Sequence, residues 1–246
     1  MKLGIFSDVH ANIEALEAVL AFYHTQKVTE YLCLGDIVGY GADPEECVRA
    51  IRDLHGVIIA GNHDQGAVGK TAAETFNIDA RAALAWTRRH LTPFVRYYLD
   101  ALELTEVLPA YSFRLVHGSP SAPRNWDYIV DWSDVEYEFG FFSERVCFIG
   151  HSHVPFAARL DPGDARPHRI RAHEFELKDD GTKYLINVGS VGQPRDSDPR
   201  ACAVVFDPAN HHVCYHRVEY DIATAQRKII NAGLPEALAA RLAVGH

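Results

Sequence analysis

The sequence predicts an α/β fold, a four-layer α/β/β/α sandwich of two mixed sheets with a helical cap-like insertion. Three observations predict it. Apolar strand signals alternate with amphipathic helical segments through residues 1–64, as in a βαβαβ unit. Strand signals follow one another without helices from about 155 to 219. Each strand of the first half stops at a polar cluster, and most of these clusters touch a glycine.

Leu3, Ile5 and Phe6 form the first strand, which ends at Ser7-Asp8-Val9-His10. Asn12 suits a helix N-cap, and Ile13, Leu16, Val19, Leu20 and Tyr23 recur at helical spacing. Tyr31 to Leu34 is a second strand, ending at Gly35-Asp36. Pro44 suits the first turn of a helix running to His55, with Glu45 and Glu46 complementing its dipole. Val57 to Ala60 is a third strand, ending at Gly61-Asn62-His63-Asp64. Residues 65–104 carry no strand signal and read as helices at about 73–90 and 93–102, an insertion over the strand ends. Ser112 to Val116 and Val146 to Ile149 are strands ending at His117-Gly118 and Gly150-His151-Ser152-His153, with a helix at about 133–143 between them. Strands at about 155–160, 169–177, 183–188, 201–207 and 212–219 follow, then helices at 222–232 and 235–243. No repeat or low-complexity tract interrupts the chain, so residues 1–246 read as one domain.

The polar ends are the chemically informative feature. Alternation along an extended chain puts Asp8 and His10 on the same side. Asp36, Asn62 with His63, His117, and His151 with His153 repeat the theme, giving five metal-competent ends read as one sheet. One such end is unremarkable; five point to a metal site. The other nine histidines, His24, His55, His90, His168, His173, His211, His212, His216 and His246, read as ordinary polar residues. The chain carries a net charge of −9, which argues against a stable nucleic-acid partner and leaves room for a small phosphorylated substrate. Five cysteines form no C-x-x-C pair, and Cys33 and Cys147 read as small buried hydrophobes. No run approaches about 18 apolar residues and no leader pattern is present, so the expectation is a cytoplasmic protein without membrane association. A homo-oligomer is compatible with this composition.

The ordered set D-x-H, G-D, G-N-H-D, H-G and G-H-S-H, spanning residues 8–153, resembles the calcineurin-like metallophosphoesterase superfamily. Asn187 to Arg195, reading NVGSVGQPR, resembles the loop that closes the site in small bacterial members. The resemblance implies two divalent transition metal ions. Asp8, His10, Asp36 and His153 would hold one, and Asp36, Asn62, His117 and His151 the other, with Asp36 bridging. A carboxylate has oxygens enough to bridge two cations, and N/O ligands suit Mn, Fe, Zn, Co or Ni without selecting among them. Two cations would lower the pKa of a bridging water, giving a hydroxide for in-line attack on phosphorus. The resemblance places His63, with Asn62, at the substrate, His63 serving the leaving group as general acid or phosphate-oxygen donor. Asp64 either orients His63 or caps the next segment, and Asp43 reads as a surface or capping residue. Arg195 either clamps a phosphate or pairs with Asp196 or Asp198. Trp126, Tyr128 and Tyr40 read as packing residues before base-stacking ones.

Protein serine/threonine phosphatases of this superfamily carry G-D-x-x-D-R-G, whereas here the stretch is Gly35-Asp36-Ile37-Val38-Gly39-Tyr40-Gly41. The acid and the arginine are both missing. The expectation therefore moves to a phosphodiesterase acting on a phosphodiester or nucleotide-type substrate. The alternatives are a phosphomonoesterase, a dinucleoside polyphosphate hydrolase, or a non-catalytic scaffold of the same fold.

Overall fold

Strand β1 (Leu3–Phe6) shows how the layers arise. All four of its residues are buried, so both of its faces must be covered. Leu3 and Ile5 pack with Phe113, Phe148 and Ile186 of another sheet. Phe6 points the opposite way, toward Leu16, Val19 and Tyr23 of a helix. Gly4 lies between them on the helix side, because a Cβ there would meet the Tyr23 ring at 2.8 Å.

The computed structural model describes residues 1–246. In chain order β1 is followed by α1 (Ile13–Thr25), β2 (Glu30–Cys33), α2 (Pro44–Asp53), β3 (Val57–Ile58), α3 (Asn62–Val68), α4 (Ile78–His90) and α5 (Pro93–Asp100). Next come β4 (Thr105–Leu108), β5 (Phe113–Val116), α6 (Trp132–Glu138), β6 (Val146–Ile149), β7 (Phe156–Leu160), β8 (His168–Ile170) and β9 (Glu174–Glu176). The chain ends with β10 (Lys183–Asn187), β11 (Ala201–Asp207), β12 (His212–Val218), α7 (Ile222–Asn231) and α8 (Glu236–Ala240). Two six-stranded sheets result, ordered β3-β2-β1-β11-β12-β9 and β4-β5-β6-β10-β7-β8. Both are mixed: β1, β2 and β3 run parallel, as do β5, β6 and β10, and the remaining pairs are antiparallel.

Three apolar clusters mark the three interfaces between four layers. One lies between the first sheet and α1, α2, α7 and α8. The second lies between the sheets. The third packs Val135 and Phe139 at α6 against Val116, Cys147, Ile149 and Leu185 on the outer face of the second sheet. Alternation decides the membership of each side chain: Val146 and Phe148 point inward, Cys147 and Ile149 outward. Cys33 and Cys147 are buried within these clusters, and all five cysteines are free.

Several local expectations are corrected. Residues 169–177 are not one strand. They divide into β8, paired with β7 in the second sheet, and β9, paired with β12 in the first. The periodicity runs through the break because both pieces are half-exposed edge strands. The third strand is only two residues long, and Asn62-His63-Asp64 open α3 instead of trailing from it. The helix expected from residue 73 begins at Ile78, where the Asn77 side chain accepts from the Ala80 N–H at 2.9 Å. Strand β4 gave no signal, since it is an edge strand carrying Thr105 and Glu106. The segment between α3 and β4 borders the polar strand ends: the Phe76 ring lies 4.9 Å from that of His63, centroid to centroid. No helix is long and apolar enough to cross a membrane.

Candidate metal centre

The five polar ends converge, but not within one sheet. Asp8 and His10 follow β1, Asp36 follows β2, and Asn62 and His63 follow β3, all in the first sheet. His117 follows β5, and His151 and His153 follow β6, in the second. The cluster straddles the carboxyl ends of both sheets, where the gap between layers opens. All eight side chains are buried, Asn62 the least so at 8% exposed.

Two triads meet edge to edge. In one, His153 Nε2 lies 3.2 Å from Asp8 Oδ1 and 3.0 Å from His10 Nε2. In the other, His117 Nε2 lies 3.2 Å from Asp36 Oδ2 and 3.2 Å from His151 Nδ1. Asp36 Oδ2 is also 3.7 Å from His10 Nε2, so one oxygen faces both halves. The other oxygen, Oδ1, accepts the His63 N–H at 2.8 Å and is turned away. Asp8 divides its oxygens in the same manner, Oδ2 accepting the His151 N–H at 3.0 Å.

Main-chain carbonyls set the ring tautomers. The Nδ1–H groups of His10, His117 and His153 donate to Val38 O (3.2 Å), Leu34 O (2.7 Å) and Gln193 O (2.6 Å). His151 is reversed, its Nε2–H donating to Trp126 O at 2.8 Å. In each ring the remaining nitrogen faces the cluster and carries the lone pair when the ring is neutral, the second-layer arrangement that orients metal-bound histidines. Asp8 Oδ1 and Asn62 Oδ1 are buried and have no hydrogen-bond partner. Buried acceptors without donors are rare in folded proteins, and a cation would satisfy these. Asp8–His10–His153, His10–Asp36–His63 and Asp36–His117–His151 each bring their ligand atoms close enough for an ion.

The backbone geometry differs from the simple alternation read in the sequence. Asp8, His10, Asp36, His151 and His153 have φ of 55°, 50°, 51°, 64° and 60°, all in the left-handed region. Asp8 and His10 thus point together because the chain coils after β1, not because it stays extended. A non-glycine residue held there costs roughly 1–2 kcal/mol, and such outliers concentrate at functional sites. Glycine makes room around them: a Cβ on Gly61 would lie 2.1 Å from Asp36 Oδ1, and one on Gly150 2.6 Å from Asp8 Oδ2.

Electrostatics separate the histidines. Burial would lower the His117 pKa, but Asp36 and Asp8 outweigh it and push it up to about 9. Burial and the neighbouring His117 lower His151 to about 4, and burial with the Arg195 charge lowers His153 to about 3. Burial works to raise Asp8 and Asp36, yet the surrounding histidines hold both well below the usual carboxylate range.

The Calcineurin-like phosphoesterase superfamily domain matches residues 1–210. The chain belongs to this superfamily. It is 38% identical to an uncharacterized protein of Methanocaldococcus jannaschii over 99% of this chain and 98% of that one. It is also similar to a crystal structure of a metallophosphoesterase from Sphaerobacter thermophilus, with 41% identity, TM-score 0.87, and 100% and 99% of the two chains covered. A hypothetical protein of Pyrococcus horikoshii shares the fold at 21% identity, TM-score 0.82, with 100% and 98% covered. The superfamily is metal-dependent, and the buried Asp/His clusters of this phosphoesterase could hold metal.

The remaining expectations resolve as follows. The His63 ring is buried beside His10, Tyr40 and Phe76, with centroids 4.9, 4.4 and 4.9 Å away, and its Nδ1 has no partner. Asp64 does not touch the ring. Its Oδ1 accepts the N–H groups of Ile37 (2.9 Å) and Val38 (3.2 Å), and its Oδ2 that of Gly61 (3.0 Å). It ties the Asp36 loop to the start of α3. Asp43 is a surface ion-pair partner of Lys228. Arg195 pairs with neither Asp196 nor Asp198, which are taken by Arg217 and Arg200. Instead its guanidinium reaches Gln193 Oε1 at 2.9 Å and the Tyr40 hydroxyl at 3.4 Å.

The three aromatic residues do more than pack. Tyr40, Trp126 and Tyr128 line a cavity of about 340 Å³ with Asn62, Phe76 and His151. Tyr128 stacks on the His151 ring at 4.0 Å, and Trp126 Nε1 donates to Thr71 Oγ1 at 3.2 Å, joining the 118–132 loop to the insertion. Gln193 was visible only as a member of the NVGSVGQPR stretch, and the sequence carried no sign of Arg241 or of the carbonyls that orient the rings.

Proposed function

We propose that this phosphoesterase holds two divalent cations and hydrolyses a phosphodiester or nucleotide-type substrate. The observation that carries the reading is the set of ring nitrogens and carboxylate oxygens fixed toward one point by main-chain carbonyls and N–H groups, with Asp8 Oδ1 and Asn62 Oδ1 left without donors. Asp8, His10, Asp36 and His153 would hold one ion, and Asp36, Asn62, His117 and His151 the other. Asp36 stands in both sets and would be shared between the ions; the His63 N–H bond to its Oδ1 fixes the orientation of the carboxylate. When bound, the ions would supply Lewis acidity and a lowered water pKa.

The chain's own groups do the rest. His63 faces the substrate from the Asp36 side and donates a hydrogen bond to the leaving-group oxygen. Asn62 orients a phosphoryl oxygen through its amide, and Arg195 supplies positive charge beside the centre for a phosphate of the substrate. The cavity beside Asn62 and His151 accommodates one organic substituent of a diester. The missing acid and arginine after Gly35-Asp36 remove the clamp a protein phosphatase uses, which supports the diester preference.

The test is a metal-reconstituted screen against bis(p-nitrophenyl) phosphate, p-nitrophenyl phosphate, cyclic nucleotides and dinucleoside polyphosphates, with metal content measured in parallel. Asp36→Asn should lose activity and metal together. His63→Ala should lose at least about a hundredfold in kcat, the usual yield of a positioned proton donor, while keeping its metal. Hydrolysis restored by no metal would overturn the enzyme reading, and metal loss in His63→Ala would make His63 a ligand.

A further inference from the structure

A pair of arginines stands beside this centre. Arg195 Nη2 and Arg241 Nη1 donate to the same oxygen, Gln193 Oε1, at 2.9 and 3.3 Å. Gln193 is buried, and its main-chain oxygen is the one that orients His153. The pair is therefore fastened to the loop that sets a cluster histidine. Only the Tyr40 ring separates Arg195 from the cluster: its centroid is 5.8 Å from the Arg195 guanidinium carbon and 4.6 Å from the His10 ring centroid.

Two like charges sharing one neutral oxygen repel. No side-chain carboxylate lies within 4.0 Å of either guanidinium; the nearby Asp196 and Asp198 are engaged by Arg217 and Arg200. Asp79 acts on Arg241 only from beyond that range. Arg195 Nε is buried without an acceptor. Arg241 Nε donates to an oxygen of His246, the last residue of the chain, at 2.5 Å, which fixes the plane of its fork. Guanidinium forks held in place and free of side-chain carboxylates match the geometry of phosphate oxygens. Arg241 lies in the single turn after α8, outside residues 1–210 that match the superfamily, so the second fork is contributed by the C-terminal segment.

We propose that Arg195 and Arg241 form a second anion subsite that takes a non-reacting phosphate of the substrate. The substrate class is then an ester bearing more than one phosphate, such as a nucleoside polyphosphate derivative, and this identification rests on the phosphoesterase reading above. The reacting phosphoryl group sits at the Asp/His cluster, while the next phosphate spans Tyr40 to reach the two forks.

The experiment has a binding arm and a kinetic arm. The full-length protein, with and without Mn²⁺, is titrated calorimetrically with inorganic tripolyphosphate and with inorganic phosphate. Tripolyphosphate should bind in both states and more tightly than phosphate. Arg195→Gln and Arg241→Gln should each weaken it about tenfold, the worth of a charge-assisted contact, and Arg241→Lys should weaken it less. In the kinetic arm, the ratio of kcat/KM for diadenosine tetraphosphate to that for bis(p-nitrophenyl) phosphate should fall about tenfold in Arg241→Gln. Equal losses on both esters, or tripolyphosphate binding indifferent to both glutamine variants, would overturn the subsite. If Arg241→Gln fails to fold, Arg195→Gln and Arg241→Lys carry the same comparison. Arginine-dependent anion binding in a protein that hydrolyses no ester would retain the anion subsite and overturn the phosphoesterase reading instead.

Discussion

Replacing Asp64 by asparagine separates a tie for the Asp36 loop from a partner of His63. The carboxylate accepts three main-chain N–H groups, two on Oδ1 and one on Oδ2, and it is fully buried. Asparagine can still serve Ile37 and Val38 through its one oxygen. Its NH₂ group then faces the Gly61 N–H, donor against donor, and that N–H is left unsatisfied. A buried unsatisfied donor costs about 1–3 kcal/mol. For a chain of this size that corresponds to a Tm drop of about 2–12 °C. Alanine leaves all three donors unpaired, about 3–9 kcal/mol by the same measure, against a total stability of about 5–15 kcal/mol. Asp64→Ala should therefore be marginally folded and Asp64→Asn folded but less stable. Because the N–H of Gly61 precedes Asn62, metal content should fall along with stability in Asp64→Asn. Urea unfolding and metal analysis on the same preparations make the measurement. An Asp64→Asn protein of wild-type stability and metal content, with kcat alone reduced, would refute the loop-tie role and restore Asp64 as an orienting partner of His63.

Gly39 has φ of 92°, and a Cβ there would lie 2.3 Å from His63 Nδ1. Gly39→Ala should lose about 1–2 kcal/mol from backbone strain, and should reduce kcat by displacing the His63 ring; unchanged turnover would disprove the contact's importance. The metal-free protein should show a bell-shaped stability profile with its maximum near pH 6.5. His117 is raised to about 9 from an ordinary 6.5, so its stabilisation is complete below 6.5 and lost as pH rises through 9. His151 and His153, lowered to about 4 and 3, make stability fall as pH drops below 6.5 through those values. Thermal melts of chelator-treated protein over about eight pH units, from about 2 to about 10, span these transitions and check the shape, and a profile flat above about pH 7 contradicts the His117 shift. For the same reason metal uptake near pH 7 should release a proton from His117 and tighten about tenfold per pH unit up to about 9, as calorimetry in buffers of different ionisation enthalpy would detect.

Which elements exist was largely legible in the residues, because burial on strands and helices follows short periods. Leu3 and Ile5 against Phe6, or Val146 and Phe148 against Cys147, sort onto opposite faces by alternation alone. The exceptions are elements too exposed to carry a pattern: β4, and the break between β8 and β9. Sheet membership was less legible. Two strand ends separated by nearly the whole first half of the chain, at Asp8 and His117, read alike whether they share a sheet or face each other across two.

The site divides along the same line. The sequence by itself determined the candidate donors, since Asp8, His10, Asp36, Asn62, His117, His151 and His153 are chemically suited side chains at polar ends of apolar runs. The tertiary structure alone decided how they meet. The left-handed turns at Asp8, His10, Asp36, His151 and His153 are held by contacts from other strands, as in the Asp8 N–H to Gly35 O bond of 3.0 Å. The tautomers depend on carbonyls of Val38, Leu34, Gln193 and Trp126, and a main-chain oxygen is the same whatever residue bears it. Arg195 had acidic neighbours in the chain at Asp196 and Asp198, yet it bonds Gln193 and Tyr40 instead. Charge pairing acts over a few ångströms in space, so proximity along the chain does not select the partner.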